Sequence, residues 1–361
     1  MTIPPLPTRL EKAGIRHYDE LIHDQPHDWL IANFKEGADE YPVNVARLMR
    51  NIVWQLRERI QKGEKEPLRE LIRTFWYMYV KPTLSRAGAL AEKADQYAQL
   101  IDQIVDMVKE HQLLRYKDIG FRDENTNNWR LGANANIVLV AEKVGHLEFL
   151  LDLHAKYGVT VMALGGQPSV LTTEYFVDAL GASGVNLQRS FYLFSIVDYD
   201  PSGWIIQQAF INNLAFYGVK NVRLAELVNP DQLTAEEIIF SRYSIPAGKD
   251  MALKNESWLR QVRARKFKNQ NLLEEQNPAG GAPTLFGLEA ESISTKRLAT
   301  EVDRLVAPLL GQTEDLLTLY ELKRLNQAVK NLILFKVTHP DAPSPELRGP
   351  AARQKRDNSA R

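Results

Sequence analysis

No cysteine occurs anywhere in the 361 residues. That excludes disulfides, thiolate zinc sites and cysteine nucleophiles together, so any metal must be held by carboxylates or histidines. The sequence also lacks an apolar run long enough to span a bilayer. Its first residues carry neither the basic segment nor the apolar core of a secretory signal. An intracellular protein with no membrane partner is expected. Net charge is missing as well, since 45 Lys and Arg balance 45 Asp and Glu, and the bulk field therefore gives no sign of a nucleic-acid partner. Basic residues gathered on one face could still bind phosphates, because such contacts act within about 10 Å. There is no Walker A sequence either, and the pair Gly165 and Gly166 reads as a turn.

What is present is enough apolar sequence, 44% against 25% charged, to build two or so domains with real cores. Val45, Leu48, Met49, Ile52, Leu56 and Ile60 recur at helical spacing. After a polar break at 61–67 a second helix is expected to begin near Pro67, and Tyr97, Leu100, Ile101, Ile104, Val105 and Val108 predict a third. Residues 43–112 thus read as a compact helical region. From Asn136 the rhythm changes: continuous apolar runs at 137–140, 159–164, 191–197 and 222–224 alternate with helical stretches. This is βαβ spacing, and a parallel sheet flanked by helices buries both faces of such strands. Beyond Pro230 the chain reads as mainly helical, with a Gly/Pro break at 278–283 and amphipathic segments at 295–310 and 313–337. Residues 341–361 have little to bury and are expected to be disordered. No internal repeat is evident.

Three carboxylates stand out. Glu142 directly follows the first strand of the sheet, and Asp198 and Asp200 directly follow the third, in the segment DYDPSG at 198–203. Ligands of open parallel sheets collect at the carboxyl ends of the strands. Period-two alternation turns Asp198 and Asp200 to one side, and an all-carboxylate set suits Mg2+ better than zinc. Singly, each has a plainer reading; Asp200 before Pro201 would serve as the N-cap and first-turn proline of the next helix. That reading leaves Glu142 and Asp198 unexplained.

The order of these motifs, VAEK at 140–143, GGQP at 165–168 and DYDPSG at 198–203, resembles the Toprim domain of topoisomerase VI A subunits and the related meiotic double-strand-break protein. The resemblance implies an α/β fold in which a helical winged-helix (CAP-like) domain precedes a Toprim domain with a central parallel sheet flanked by helices. Its divisions would be an N-terminal extension at 1–42, the winged helix at 43–131, Toprim with helical elaboration at 132–338, and a basic tail at 339–361. It assigns Mg2+ to Glu142, Asp198 and Asp200.

In that family a tyrosine on the winged helix attacks DNA, in a motif of Arg, three residues and Tyr, with an aromatic before the Tyr. Arg73, Trp76 and Tyr77 match it. A phenol of pKa about 10 needs help to act as a nucleophile at neutral pH, and an arginine four residues away on a helix shares its face. Phe75, Trp76, Tyr77 and Tyr79 would otherwise read as helical core. A second register puts Arg69 on the motif arginine and Arg73 on the tyrosine position, leaving no nucleophile, and Tyr79 is the reserve for Tyr77. Where the family often has Thr-Arg after the GxP turn, this chain has Thr172 and Thr173.

For DNA contact the candidates are Lys143 and Arg122 beside the expected site, and Arg260, Arg263 and Lys266 within a basic stretch that also holds Arg265 and Lys268. A solvated helix face explains that stretch equally well. His146 and His154 receive no role. The resemblance implies double-stranded DNA as substrate, a homodimer in which each tyrosine serves the partner's metal site, and a separate GHKL-type ATPase B subunit. The alternatives are a Toprim nuclease that cuts by hydrolysis, and a catalytically silent DNA-binding subunit.

Overall fold

In this computed structural model the described residues are 3–35, 41–123, 125, 128–247, 249–276, 283–310, 329, 330 and 333. The chain divides into two compact units, 1–302 and 303–361. The expected helix at 313–337 and tail at 341–361 lie outside the described residues, apart from the isolated positions 329, 330 and 333.

Two amphipathic helices organise the N-terminal half. α1 (Leu6–Lys12) and α2 (His27–Phe34) precede α3 (Val45–Gln61), whose N-cap Asn44 accepts from Arg47 N at 2.9 Å. Leu48, Met49, Ile52 and Val53 are buried on its inner face. The expected helix from Pro67 starts later, as α4 (Ile72–Phe75). Instead of a helix, 68–71 is an irregular segment, left-handed at Arg69, that pairs with 119–122: Leu68 N donates to Ile119 O, Arg122 N to Glu70 O and, at the start of α4, Ile72 N to Arg122 O. α4 continues through a π-helical turn (Trp76–Val80) into α5 (Lys81–Arg86). Pro82 has no N–H to bond the carbonyl four residues back, and its ring crowds that carbonyl, so the helix widens there. Lys81 N accordingly reaches Trp76 O, five residues back. α6 (Gln96–Lys109), capped by Asp95, and α7 (Tyr116–Ile119) complete the core around Phe34, Phe75, Tyr116 and Phe121.

The sheet half follows the expected alternation closely. β1 (Trp129–Arg130), β2 (Asn134–Ala141), β3 (Val159–Ala163), β4 (Phe191–Ile196) and β5 (Val222–Glu226) form one sheet in the order β1-β3-β2-β4-β5. β3, β2, β4 and β5 are parallel, while β1 lies antiparallel on β3, so the sheet is mixed and mostly parallel. α8 (Leu147–Tyr157), α9 (Val170–Ala182) and α10 (Pro201–Phe216) are the crossovers. Every residue of β2 and β3 is buried, as expected for strands covered on both faces.

α9 joins the halves. Leu171 belongs to the helical core and Phe176 to the sheet core. Between them Glu174, fully buried, accepts from Lys117 N at 3.0 Å, Tyr116 N at 3.3 Å and the Tyr217 hydroxyl at 3.1 Å, with Arg115 Nε 3.5 Å away. A carboxylate this deep is tolerable because donors surround it.

Beyond Pro230 the described residues are mainly helical, as expected, with an addition that the sequence reading lacked. α11 (Ala235–Ser241), α12 (Lys249–Arg265) and α13 (Thr295–Val306) are present, but a second sheet, β6 (Arg242–Ser244), β7 (Glu274–Glu275) and β8 (Thr284–Leu288), is antiparallel in the order β6-β8-β7. Strands of two to five residues are too short to show an alternation. No helix among the described residues is long and apolar enough to cross a membrane.

Candidate active site

The chain leaves β2 toward β3 and leaves β4 toward β5, in opposite directions across the sheet. The loops after β2 and β4 therefore diverge, and a crevice opens at their carboxyl ends, the usual ligand position in open parallel sheets. Glu142 stands at the end of β2, and its N–H donates to Ile196 O, prolonging the ladder. Asp198 follows β4, with its main-chain N–H 3.5 Å from Glu142 Oε2. Asp200 caps α10 by accepting from Gly203 N at 2.7 Å. A Cβ at position 203 would sit 2.0 Å from Asp198 O, so only glycine lets the helix start this close to the strand end. The GGQP loop closes the far side, where Gly166 N donates to Glu142 O at 3.0 Å.

The second sheet lies over this crevice, and no local feature of the sequence announces it. Tyr199 pairs with Leu288 through two main-chain hydrogen bonds. On one side of that bridge Gly287 lets the Tyr243 hydroxyl reach Asp200 Oδ2 at 2.7 Å; on the other Ala290 N donates to Asp198 Oδ1 at 2.8 Å. Glu291 takes the Lys143 ammonium at 2.7 Å, and that ammonium is also 3.4 Å from Asp198 Oδ1. Segment 287–291 thus bonds Asp198 and Lys143 directly and admits Tyr243 to Asp200.

Electrostatically the crevice is short of positive charge. Burial, then the neighbouring Asp198 carboxylate, raises the Glu142 pKa above its ordinary value. Burial alone would lower Lys143, but Glu291 and Asp198 outweigh it and the ammonium is held charged. Among the described residues no three His, Asp or Glu side chains converge closely enough to form a ligand cage. The reason is visible at Asp200, whose oxygens turn to Gly203 and Tyr243. Each carboxylate oxygen still has a second lone pair, so these hydrogen bonds do not remove its capacity to bind a cation. By donor type Glu142, Asp198 and Asp200 suit a hard, oxygen-seeking ion.

No protein-family model matches the chain, and no curated protein does. The chemistry of the crevice therefore rests on its own geometry.

Tyr77 lies in the π turn and is 52% exposed. Lys81, one turn later, holds its ammonium 5.2 Å from the Tyr77 ring centroid, a neighbour that sequence reasoning overlooked. Arg73, exposed one turn earlier, rests its guanidinium over the Tyr97 ring at 5.9 Å. Tyr79 is different: its ring packs on Phe75 and His23 and its hydroxyl accepts from Lys65 Nζ at 2.8 Å. Of the two tyrosines, Tyr77 presents its side chain to solvent.

The basic candidates divide. Arg122 is exposed and fixed by the main-chain ladder beside α4. Arg260 pairs with Glu256 at 3.2 Å, Arg263 with Glu274 at 2.7 Å and Arg265 with Glu226, so much of the α12 stretch is neutralised locally. Lys266, with φ 57°, ends that helix in a left-handed conformation. Thr172 donates to the Asp123 carboxylate at 2.8 Å, which ties the start of α9 to the helical half, while Thr173 donates to Ser169 O at 2.8 Å within the first turn.

Proposed function

We propose that this chain is the DNA-cleaving A-type subunit of a type IIB, topoisomerase VI-like enzyme, with residues 43–131 as its winged-helix part and 132–338 as its Toprim part. It makes Mg2+-dependent double-strand breaks through a 5′-phosphotyrosyl intermediate. The observation that carries this reading is the meeting of Glu142 and Asp198, with Asp200 beside them, at the switch point between β2 and β4. An exposed tyrosine with a cationic side chain one turn to either side, Arg73 and Lys81, supports it.

In the reaction Tyr77 Oη attacks a DNA phosphorus, the bond to the 3′ oxygen breaks, the phenolic proton passes to solvent, and the departing 3′ oxygen takes up a proton. Lys81 and Arg73 supply positive charge that favours the phenolate and the phosphate it approaches. Glu142, Asp198 and Asp200 would hold Mg2+, which when bound neutralises charge on phosphate oxygens. Arg122, Lys143, Arg260, Arg263 and Lys266 are the proposed backbone contacts, of which Arg122 and Lys143 sit nearest the chemistry. Double-stranded DNA is the substrate, the chain works as a homodimer, and a separate GHKL-type ATPase supplies strand passage. An intracellular, nucleoid-associated setting belongs to the same reading.

One observation favours a second reading, cleavage by water without a covalent link: Arg73 lies over Tyr97 rather than over Tyr77. Incubation with supercoiled plasmid and Mg2+, with and without a candidate ATPase, separates the two. Protein-linked 5′ ends lost in both Tyr77→Phe and Asp198→Ala are expected. Free ends that survive Tyr77→Phe but not Asp198→Ala would establish the hydrolytic nuclease. DNA binding with no cleavage under any condition would leave a silent DNA-binding subunit.

A further inference from the structure

At the opposite end of the strands from Glu142, where α9 and α10 finish and β4 and β5 begin, the helical half stands off the sheet half and leaves a cleft of about 1230 Å³. Its walls come from α1, α3, the 108–118 segment, the ends of α9 and α10, and the turn before β5. None of the carboxylates at the switch point lines it.

Five cations face this space, Arg9, Arg57, Arg115, Lys117 and Lys220, against two carboxylates, Asp118 and Asp178. The pairing within the cleft leaves positive charge over. Asp178 takes both Arg115 at 2.8 Å and Lys117 at 2.7 Å, and Asp118 lies 3.7 Å from Arg57 Nε. Among the described residues Arg9 donates to main-chain carbonyls, those of Gln112 and His111, and Lys220 stands exposed at the rim. The buried Glu174 behind the wall offsets part of Arg115. The side chains of Arg115 and Lys117 nonetheless remain 37% and 45% exposed, so their outer donors are accessible.

One wall is aromatic. Phe216 is 38% exposed at the end of α10, with Tyr217 next to it at a ring separation of 4.9 Å, and both line the cleft. Lys109 Nζ lies 5.8 Å from the Phe216 ring centroid, so a base would share this partly exposed ring with a cation; surplus guanidinium and ammonium groups beside such a ring are the pairing that recognises phosphate and a stacked base together. A purely inorganic anion would leave the ring unused, and an apolar ligand would leave the cations without partners.

We propose that this cleft binds nucleotide units, their phosphates on Arg9, Lys117 and Lys220 and a base against Phe216, independently of the acidic crevice. The nucleotide chemistry has two sources, a free nucleoside triphosphate or a unit within a single DNA strand, and the probes distinguish them.

The test is fluorescence anisotropy of the full chain without Mg2+, using a fluorescent nucleoside triphosphate in one arm and a labelled oligothymidylate in the other. Saturable binding of either probe is expected, weakened about tenfold or more by the Arg9→Glu, Lys220→Glu double variant, as a lost phosphate contact implies. Phe216→Ala should weaken binding further, and Asp198→Ala should leave it unchanged. Binding of the triphosphate alone would identify a free nucleotide, and binding of the oligonucleotide alone a strand. Thermal melting of the double variant at the wild-type temperature would show that its fold is intact; Lys220→Glu alone, at an exposed rim position, serves if it is not. Failure of both probes to bind, or binding undiminished by the charge reversals, would overturn the assignment. Because no cleavage is read, such a failure leaves the proposed activity standing.

Discussion

The Tyr243 hydroxyl donates to Asp200 Oδ2 at 2.7 Å, across 43 residues of sequence. Burial first, and then this carboxylate, push the Tyr243 pKa well above its ordinary value, so the phenol stays a donor at any working pH. Asp200 is therefore held between a helix N-terminus and a fixed hydroxyl. Partners of this kind set the orientation of a metal-binding carboxylate, and their loss typically weakens a site about 10–100-fold. Tyr243→Phe should raise the Mg2+ concentration needed for half-maximal cleavage within that range. The cost in stability should be near 1 kcal/mol. An unchanged Mg2+ midpoint, measured by titration of the cleavage assay, would show that Tyr243 is merely packing.

Gly287 makes that contact possible. A Cβ there would lie 2.8 Å from the Tyr243 ring and 3.1 Å from Asp200 Cβ. Gly287→Ala should push Tyr243 off Asp200 and reproduce the Tyr243→Phe defect, and the two changes together should be no worse than either alone. Additive defects in the same Mg2+ titration would mean that Gly287 acts on something else. Gly203→Ala, whose Cβ would meet backbone at 2.0 Å, is expected to prevent folding and so cannot serve as the test.

Glu142 predicts a pH effect. Its folded pKa is raised by burial and by Asp198, relative to an unfolded carboxyl near about 4.3. For a raised pKa the group's contribution to stability is fully present below the unfolded value and is lost as pH rises through the folded one. At neutral pH the ionised Glu142 is therefore a burden on the metal-free fold. Glu142→Gln should melt higher than wild type by about 2 °C at pH 7 to 8 without metal, with the difference vanishing toward pH 4. Adding Mg2+ should raise the wild-type melting temperature and leave the variant's unchanged. A variant that melts lower at every pH would contradict the repulsion between Glu142 and Asp198.

How much of this was legible in the sequence follows from the length over which each signal acts. The four parallel strands and their crossovers stood where the apolar runs put them, because fully buried strands cannot hide their composition. Glu142, Asp198 and Asp200 were readable for the same reason: each sits at the end of such a run. β6, β7 and β8 are two to five residues long and carry no period, so Tyr243 and Glu291, which complete the crevice, left no local sign. The start of α4 was misplaced because 68–71 prefers a ladder with 119–122, a pairing some 50 residues apart that helical spacing cannot show. The π turn was latent in Pro82, and it widens the helix between Tyr77 and Lys81, a spacing that a regular helical pattern does not show.

That turn yields the sharpest separation between the tyrosines. Tyr77 is 52% exposed and meets Lys81 through its ring, whereas Tyr79 is packed on Phe75 and His23 and anchors Lys65. Removing the Tyr77 hydroxyl should leave stability within about 0.5 kcal/mol of wild type, as for most surface changes. Removing the Tyr79 hydroxyl leaves Lys65 without its acceptor and should cost about 1 kcal/mol. A nucleophile on Tyr77 thus predicts opposite patterns: Tyr77→Phe loses all protein-linked DNA at an unchanged melting temperature, and Tyr79→Phe keeps the linkage while melting lower. Both quantities come from one preparation, by denaturing gel and by thermal scan. If instead the covalent product disappears with Tyr79→Phe and persists with Tyr77→Phe, the hydroxyl held by Lys65 is the attacking group, and Lys65 rather than Lys81 is the cation that assists it.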